Sequence, residues 1–259
     1  MVNNWRNIIQ DYLLPPTCIL CGGNGFDSQD ICQSCYKDMQ RNIHCCYHCA
    51  EIFETANSTP QLCGYCLSHT VAFDETHAPF IHQGIVRFLI ASLKFKRQYK
   101  NARLLGSLLA NHLEKTAELP DLIIPTPLHP LRYKERSFNQ SFEISKTVAR
   151  QLKLTIDNKS CIRQRDTQHQ TTLSAKQRHQ NIKNAFKVIK PIIADHVAII
   201  DDVMTTGSTA NELARTLNDR NDVNLKLEAI TDSITQTDMS ILNKEIDNAR
   251  SVYWMTSII

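Results

Sequence analysis

The sequence predicts an α/β protein, a parallel sheet flanked by helices, with a small cysteine-rich domain in front of it. Three observations carry this expectation. Nine of the ten cysteines fall within the first 66 residues. After them, short apolar runs alternate with longer segments of helical period, which is the order that builds parallel strands with right-handed helical crossovers. Finally, Val197-Ala198-Ile199-Ile200 is an unbroken apolar run, as strands buried on both faces are. It ends in two carboxylates, Asp201 and Asp202. A loop of hydroxyls and glycine follows, and then a helical segment with Ala210, Leu213, Ala214 and Leu217 on one face.

The cysteine-rich part is read as residues 1–72, opening with a short N-terminal helix, and the larger domain as residues 73–259. Four Cys-x-x-Cys pairs occur: Cys18/Cys21, Cys32/Cys35, Cys46/Cys49 and Cys63/Cys66. Such a pair on a tight turn offers two thiolates to one ion, and two pairs complete a tetrahedral zinc site. Pairing in sequence order leaves gaps of ten and thirteen residues; a cross-braced arrangement would use the same ligands. Closed four-cysteine sites are structural rather than catalytic. So small a region has little core of its own, and bound zinc is expected to supply much of its stability. Cys45 is read as a non-ligand, and the isolated Cys161 as a core residue. No stretch of about 18 uncharged apolar residues occurs, and Met1 to Arg6 lack a signal-type apolar run. A cytoplasmic protein without membrane insertion is expected, and reduced thiols fit that compartment.

In the larger domain, a strand is expected to end at Ile81-His82-Gln83-Gly84. Helices follow over Ile85 to Lys96 and Asn101 to Ala117. Asp121 to Pro125 reads as a short buried strand and Phe138 to Leu152 as an amphipathic helix. Leu225 to Ile230 and Val252 to Thr256 read as late strands. The formal charge of +3 falls to about −1 if two four-thiolate zinc sites each add −2. It also conceals an asymmetry. Arg132 to Lys190 holds fourteen Lys/Arg against four Asp/Glu, and Arg87 to Arg103 holds six bases and no acid. Asp195 to Asp247 has eleven acids against four bases. Basic stretches of this kind suit a polyanion.

The strand–Asp201–Asp202–Val203–Met204–Thr205–Thr206–Gly207–Ser208–Thr209–helix unit resembles the phosphoribosyl-diphosphate (PRPP) signature of type I phosphoribosyltransferases. A loop opening into a helix N-terminus offers free N–H groups to phosphate, and paired carboxylates accept hydrogen bonds from ribose hydroxyls. Gly-Lys-Ser/Thr is absent, so this is not a Walker A loop. The resemblance implies Asp201 and Asp202 on ribose and Thr205, Thr206, Gly207, Ser208 and Thr209 on the 5′-phosphate. It also implies pyrophosphate at Pro125, Thr126, Pro127 and Leu128, with Mg²⁺ accompanying PRPP.

Further motifs appear in a fixed order: Leu14-Pro15-Pro16, the cysteine pairs, and Leu93-Lys94-Phe95-Lys96. Next come Pro125-Thr126-Pro127-Leu128-His129, then Arg136-Ser137-Phe138-Asn139-Gln140. Arg163 to Leu173, Arg178 to Phe186 and the PRPP loop complete the set. With these the chain resembles the ComF/GntX family, competence-type phosphoribosyltransferase homologues with an N-terminal zinc ribbon. Ser137 stands where that family has Gly, Met204 where it has Leu or Val, and residues beyond about Thr235 fall outside its motifs.

The resemblance implies a type I phosphoribosyltransferase-like fold and a role in natural transformation, with PRPP, single-stranded DNA and other competence proteins as partners. Catalytic roles would fall to Asp201, Asp202, Arg163 and Arg165, the last two on a mobile hood running to about Arg178. Arg136, Asn139 and Gln140 would line an acceptor side. DNA contacts would come from Lys94, Lys96, Arg97, Lys100, Arg132, Lys134 and Arg136, with Phe95, Tyr99, Tyr133 and Phe138 available for stacking. The alternative is an active phosphoribosyltransferase of nucleotide metabolism with no DNA role. The sequence names no acceptor, and no glutamine-hydrolysing module accompanies it.

Overall fold

The computed structural model describes residues 15–53, 61–167, 180–219 and 226–235. The expected N-terminal helix, the loop residues to Arg178 and the strand at Val252 to Thr256 lie outside these. The sheet uses β1 (Glu75–His77), β2 (Phe80–Ile81), β3 (Leu122–Pro125), β4 (Thr155–Ile156), β7 (His196–Met204) and β8 (Lys226–Ile234). Its order is β1-β8-β7-β3-β4, with β2 also on β8, and every pairing is parallel. A separate antiparallel hairpin joins β5 (Cys161–Arg163) to β6 (Phe186–Val188).

Helices cover both faces of the sheet. On one face lie α3 (Gly84–Lys96), α4 (Tyr99–Thr116) and α6 (Gln140–Leu152). Leu93, Leu109, Leu113, Ile144 and Val148 there pack on Ile123, Ala198, Ile200 and Ile230. On the other face, α7 (Ser208–Asn218) puts Ala210, Leu213, Ala214 and Leu217 against Val197, Ile199, Leu227 and Ala229. The four helix positions read from the sequence are therefore buried, and Glu212 joins them. Cys161 is buried in the same cluster. Residues Val197 to Ile200 are each 1% exposed or less, as an unbroken apolar run in a central strand requires.

The N-terminal region holds two ribbons. The first carries α1 (Gln33–Lys37) and the second α2 (Gly64–Ser68). The first ribbon shares a core with the larger domain: Cys18, Ile31 and Met39 pack with Phe80, Val86, Leu89, Ile90, Leu104 and Leu105. The second meets the sheet edge through Ala50, Ala78 and Ile234.

Three local differences from the sequence reading have physical causes. Helix α6 starts at Gln140 rather than Phe138, because Ser137 adopts φ 66° and Asn139 Oδ1 caps Phe142 N–H at 3.4 Å. Strand β8 continues through polar Thr231-Asp232-Ser233, each at most 1% exposed, because β7 and β2 pair along it. A helix α5 (Pro130–Arg136) was not expected; His129 caps it and proline occupies its first turn. Among the described residues, no helix is long and apolar enough to cross a membrane.

Candidate functional site

At the carboxyl ends of β3 and β7 lies a cleft of about 470 Å³. This is where ligands bind in open parallel sheets. Strand β7 delivers Asp201 and Asp202, and the chain then turns through Thr205 and Thr206 into Gly207. Gly207 sits at φ 68° as the residue before α7, a conformation that disfavours a side chain. Thr206 Oγ1 and Ser208 Oγ lie 2.8 Å apart across the turn. Thr126, just beyond β3, is fixed on both sides: its N–H donates to Ile200 O at 2.8 Å, and its O accepts from Asn139 Nδ2 at 2.9 Å. Asn139 thus caps α6 and holds the neighbouring loop.

The cleft brings together sequence-distant parts of the expected site. Asp201, Asp202, Thr126, Leu128, all of Thr205 to Thr209, and Arg163 line it. Lys94, Arg132 and Arg136 also line it. Lys94 Nζ lies 2.6 Å from Asp202 Oδ2. Pro125 and Pro127 are not among the lining residues; Pro125 ends β3 and is buried. Arg165 is exposed and donates to Lys183 O. Lys96, Arg97 and Lys100 are exposed where α3 meets α4, and Lys134 is exposed on α5. Phe95 and Tyr99 are exposed beside the first group, and Tyr133 beside Lys134. Phe138 is not available for stacking: it is 3% exposed, with its ring centroid 5.0 Å from that of Tyr99.

Electrostatics concentrate on the acids. Burial and the adjacent Asp202 push the Asp201 carboxyl up to about 6, against the 2.9 Å bond from Asp202 N–H and the 3.0 Å bond from Ser141 Oγ. Asp232, fully buried on β8, is raised well above the usual carboxylate range by burial and by Asp202. Burial lowers Arg163, which donates to Thr167 Oγ1 and lies over the Phe186 ring. Burial and Lys94 lower His82, which meets Ser233 Oγ at 3.1 Å. Sequence reading missed His82, Ser141 and Asp232. Only their position beside Asp202 or Asp201 marks them, and no local motif does.

Each set of four cysteines also converges. Cys18, Cys21, Cys32 and Cys35 form one cluster, and Cys46, Cys49, Cys63 and Cys66 the other, so the pairs combine in sequence order. The Cys21–Cys32 and Cys49–Cys63 sulfurs are 3.6 and 3.5 Å apart, close to the roughly 3.8 Å edge of a tetrahedron with Zn–S bonds of about 2.3 Å. Cys35 N–H and Cys63 N–H point at Cys32 Sγ and Cys46 Sγ, bonds that stabilise thiolate ligands. Hydrogen bonds from Cys49 and Cys63 lower Cys46, while the bond to Cys32 pushes Cys35 up to about 12. Both donor sets fit zinc. Cys45 belongs to neither cluster.

Residues 9–67 match the double zinc ribbon domain family. Competence protein F of Haemophilus influenzae is 33% identical over 209 residues, covering 77% of this chain and 90% of that protein. DNA utilization protein YhgH of Escherichia coli is 34% identical over 192 residues, 72% of this chain and 83% of the relative. The Salmonella typhimurium protein of the same name is 31% identical over 211 residues, 79% and 91% of the two chains. With such identity across most of both partners, the chain belongs to the family of competence protein F and DNA utilization protein YhgH.

Proposed function

We propose that this protein binds PRPP with Mg²⁺ in the β3/β7 cleft and serves DNA uptake, gripping single-stranded DNA on the basic surface beside that cleft. The observation that carries the first part is the meeting of an acid pair, a hydroxyl-rich loop at a helix N-terminus, and four cations around one 470 Å³ cavity. On this reading Asp201 and Asp202 accept hydrogen bonds from ribose hydroxyls, with Lys94 leaving Asp202 as ligand enters. Thr205 to Thr209 cradle the 5′-phosphate with their backbone N–H groups. Thr126 and Leu128 face pyrophosphate, and Pro125 and Pro127 shape that loop from behind. Arg163 and Arg132 balance the developing negative charge, which is the main catalytic demand if transfer occurs. Asp202, whose Oδ2 meets Lys94 Nζ at 2.6 Å, would help to hold a magnesium ion once Lys94 leaves it. Such an ion would screen the charge of the ligand's phosphates.

The uptake role is supported by the names of the relatives, competence protein F and DNA utilization protein. The exposed Lys96, Arg97 and Lys100 flank Phe95, which is 78% exposed, and Tyr99. Cations beside open aromatic faces suit single-stranded DNA. Lys134 and Tyr133 extend the surface, while Lys94, Arg132 and Arg136 serve the cleft. Residues 1–72 would act as a zinc-stabilised unit against residues 73–259.

The test is thermal stabilisation of the zinc-loaded protein by Mg–PRPP, since a ligand that binds only the folded state raises the transition temperature. A rise in wild type that disappears in Asp201→Asn/Asp202→Asn supports the cleft. No rise in either protein refutes it. For DNA, Lys96→Ala/Arg97→Ala/Lys100→Ala should weaken oligonucleotide binding and flatten its salt dependence. Salt-insensitive binding would refute that part alone.

A further inference from the structure

Away from the cleft, at the opposite end of β8, the fold buries a second polar cluster. Register places Glu75 of β1 beside Glu228 of β8, and His77 beside Ile230. One ligand atom from each of Glu75, His77 and Glu228 lies within 4.8 Å of the others. Glu228 is fully buried at 0% exposure, and its Oε2 has no hydrogen-bond partner. His77 Nε2 lies against Glu75 Oε1. His77 Nε2 faces Glu228 Oε2 at 3.8 Å, and His196 Nε2 faces Glu228 Oε1 at 2.9 Å. Lys226 Nζ reaches the same Oε1 at 3.1 Å and Glu118 Oε2 at 2.9 Å.

A carboxylate oxygen left without a hydrogen bond in a water-excluded position, here Glu228 Oε2, is costly. Two carboxylates and an imidazole meeting there constitute the donor set of a divalent ion. Oxygen and imidazole nitrogen without thiolate suit zinc or manganese. One such ion balances the two carboxylate charges while the imidazole stays neutral and Lys226 keeps Glu118. His196 then serves as the outer group that fixes the Glu228 carboxylate.

We propose that Glu75, His77 and Glu228 form a third metal site, distinct from both cysteine clusters, that fastens the second ribbon to the edge of the sheet. Its connection to the ribbon is direct. Tyr47 donates its hydroxyl to Glu75 Oε2, Thr76 N–H donates to Tyr47 O at 3.2 Å, and Thr76 Oγ1 donates to His48 O at 2.6 Å. Filling the site needs the Glu75–His77 contact to open to the roughly 3.4 Å separation of two ligands on one zinc.

Metal content of the full-length protein, after dialysis against zinc, tests the proposal. Wild type is expected to hold three equivalents, and Glu228→Gln and His77→Gln two each. Asp202→Asn, which alters only the cleft, is expected to keep three. Cobalt substitution of wild type reads the same site without a variant. Two equivalents should show intense thiolate-to-metal charge transfer, and a third should add only weak d–d absorption. Two equivalents in wild type would overturn the site. So would a third that persists in Glu228→Gln, and so would one lost in Asp202→Asn.

Discussion

Gly106→Ala in α4 is expected to destabilise the protein although alanine is the better helix former. The glycine lies where α4 crosses α6. A Cβ there would sit 2.7 Å from Ile144 O and 2.8 Å from Thr147 Cβ. Carbon contacts are optimal at about 3.5–4.0 Å, so the helices would have to separate by roughly 1 Å. Overpacking of this kind costs about 1–3 kcal/mol. Removing glycine from a helix interior returns about 0.5–1 kcal/mol. The net expectation is a loss of about 1–2 kcal/mol, or a transition temperature lower by roughly 3–6 °C in a chain of this size. Far-UV circular dichroism melts of wild type, Gly106→Ala and the exposed control Glu114→Ala provide the measurement. Because α6 carries Ser141, which holds Asp201, PRPP stabilisation should shrink as well. A Gly106→Ala protein as stable as wild type, or more so, would show that the crossing has slack and refute the argument.

Gly207→Ala has room for its Cβ, since the nearest atoms are Phe73 Cζ at 3.8 Å and Met204 Sδ at 3.9 Å. Only the φ of 68° resists it, at about 1–2 kcal/mol, so the fold should survive. Calorimetry should show phosphate-ligand affinity falling roughly tenfold. Asp201 and Asp232 are both raised when folded. Their contribution is therefore fully present below the unfolded value near 3.8 and is lost as pH rises, for Asp201 through about 6. Urea midpoints at about pH 5 and about pH 8 should show Asp232→Asn flattening this decline and raising stability at the higher pH. Equal slopes in variant and wild type would count against a buried, protonated Asp232. Cys35→Ser should remove one zinc equivalent and cost several kcal/mol. Because Ile31 and Met39 pack on α3 and α4, hydrogen exchange should rise in those helices and not only in the ribbon.

Much of this architecture could be read from local pattern. The apolar run Val197 to Ile200, with no polar break, reads as a strand covered on both faces, and the period of Ala210, Leu213, Ala214 and Leu217 named the apolar face of α7. The Cys-x-x-Cys spacing set the ligand pairs. These signals are legible because strand burial, helix period and knuckle turns are decided by residues close together in the chain. The bounds of β8 were not. Thr231-Asp232-Ser233 look like a strand end, and only pairing with β7 and β2 keeps them in the sheet.

The sequence by itself determined the α/β class, the four cysteine pairs and the acid-plus-hydroxyl loop, because each rests on contiguous spacing. Tertiary structure alone decided that the cysteine pairs combine in sequence order and that the first ribbon completes its core on α3 and α4. It also turned Lys94 inward to Asp202 while leaving Lys96 and Arg97 outside, a choice set by which side of one helical turn meets the sheet. The meeting of Glu75, His77 and Glu228 was likewise invisible in the chain, since parallel pairing brings together strands more than 150 positions apart. Their register, not any motif, puts two carboxylates and an imidazole in one buried place.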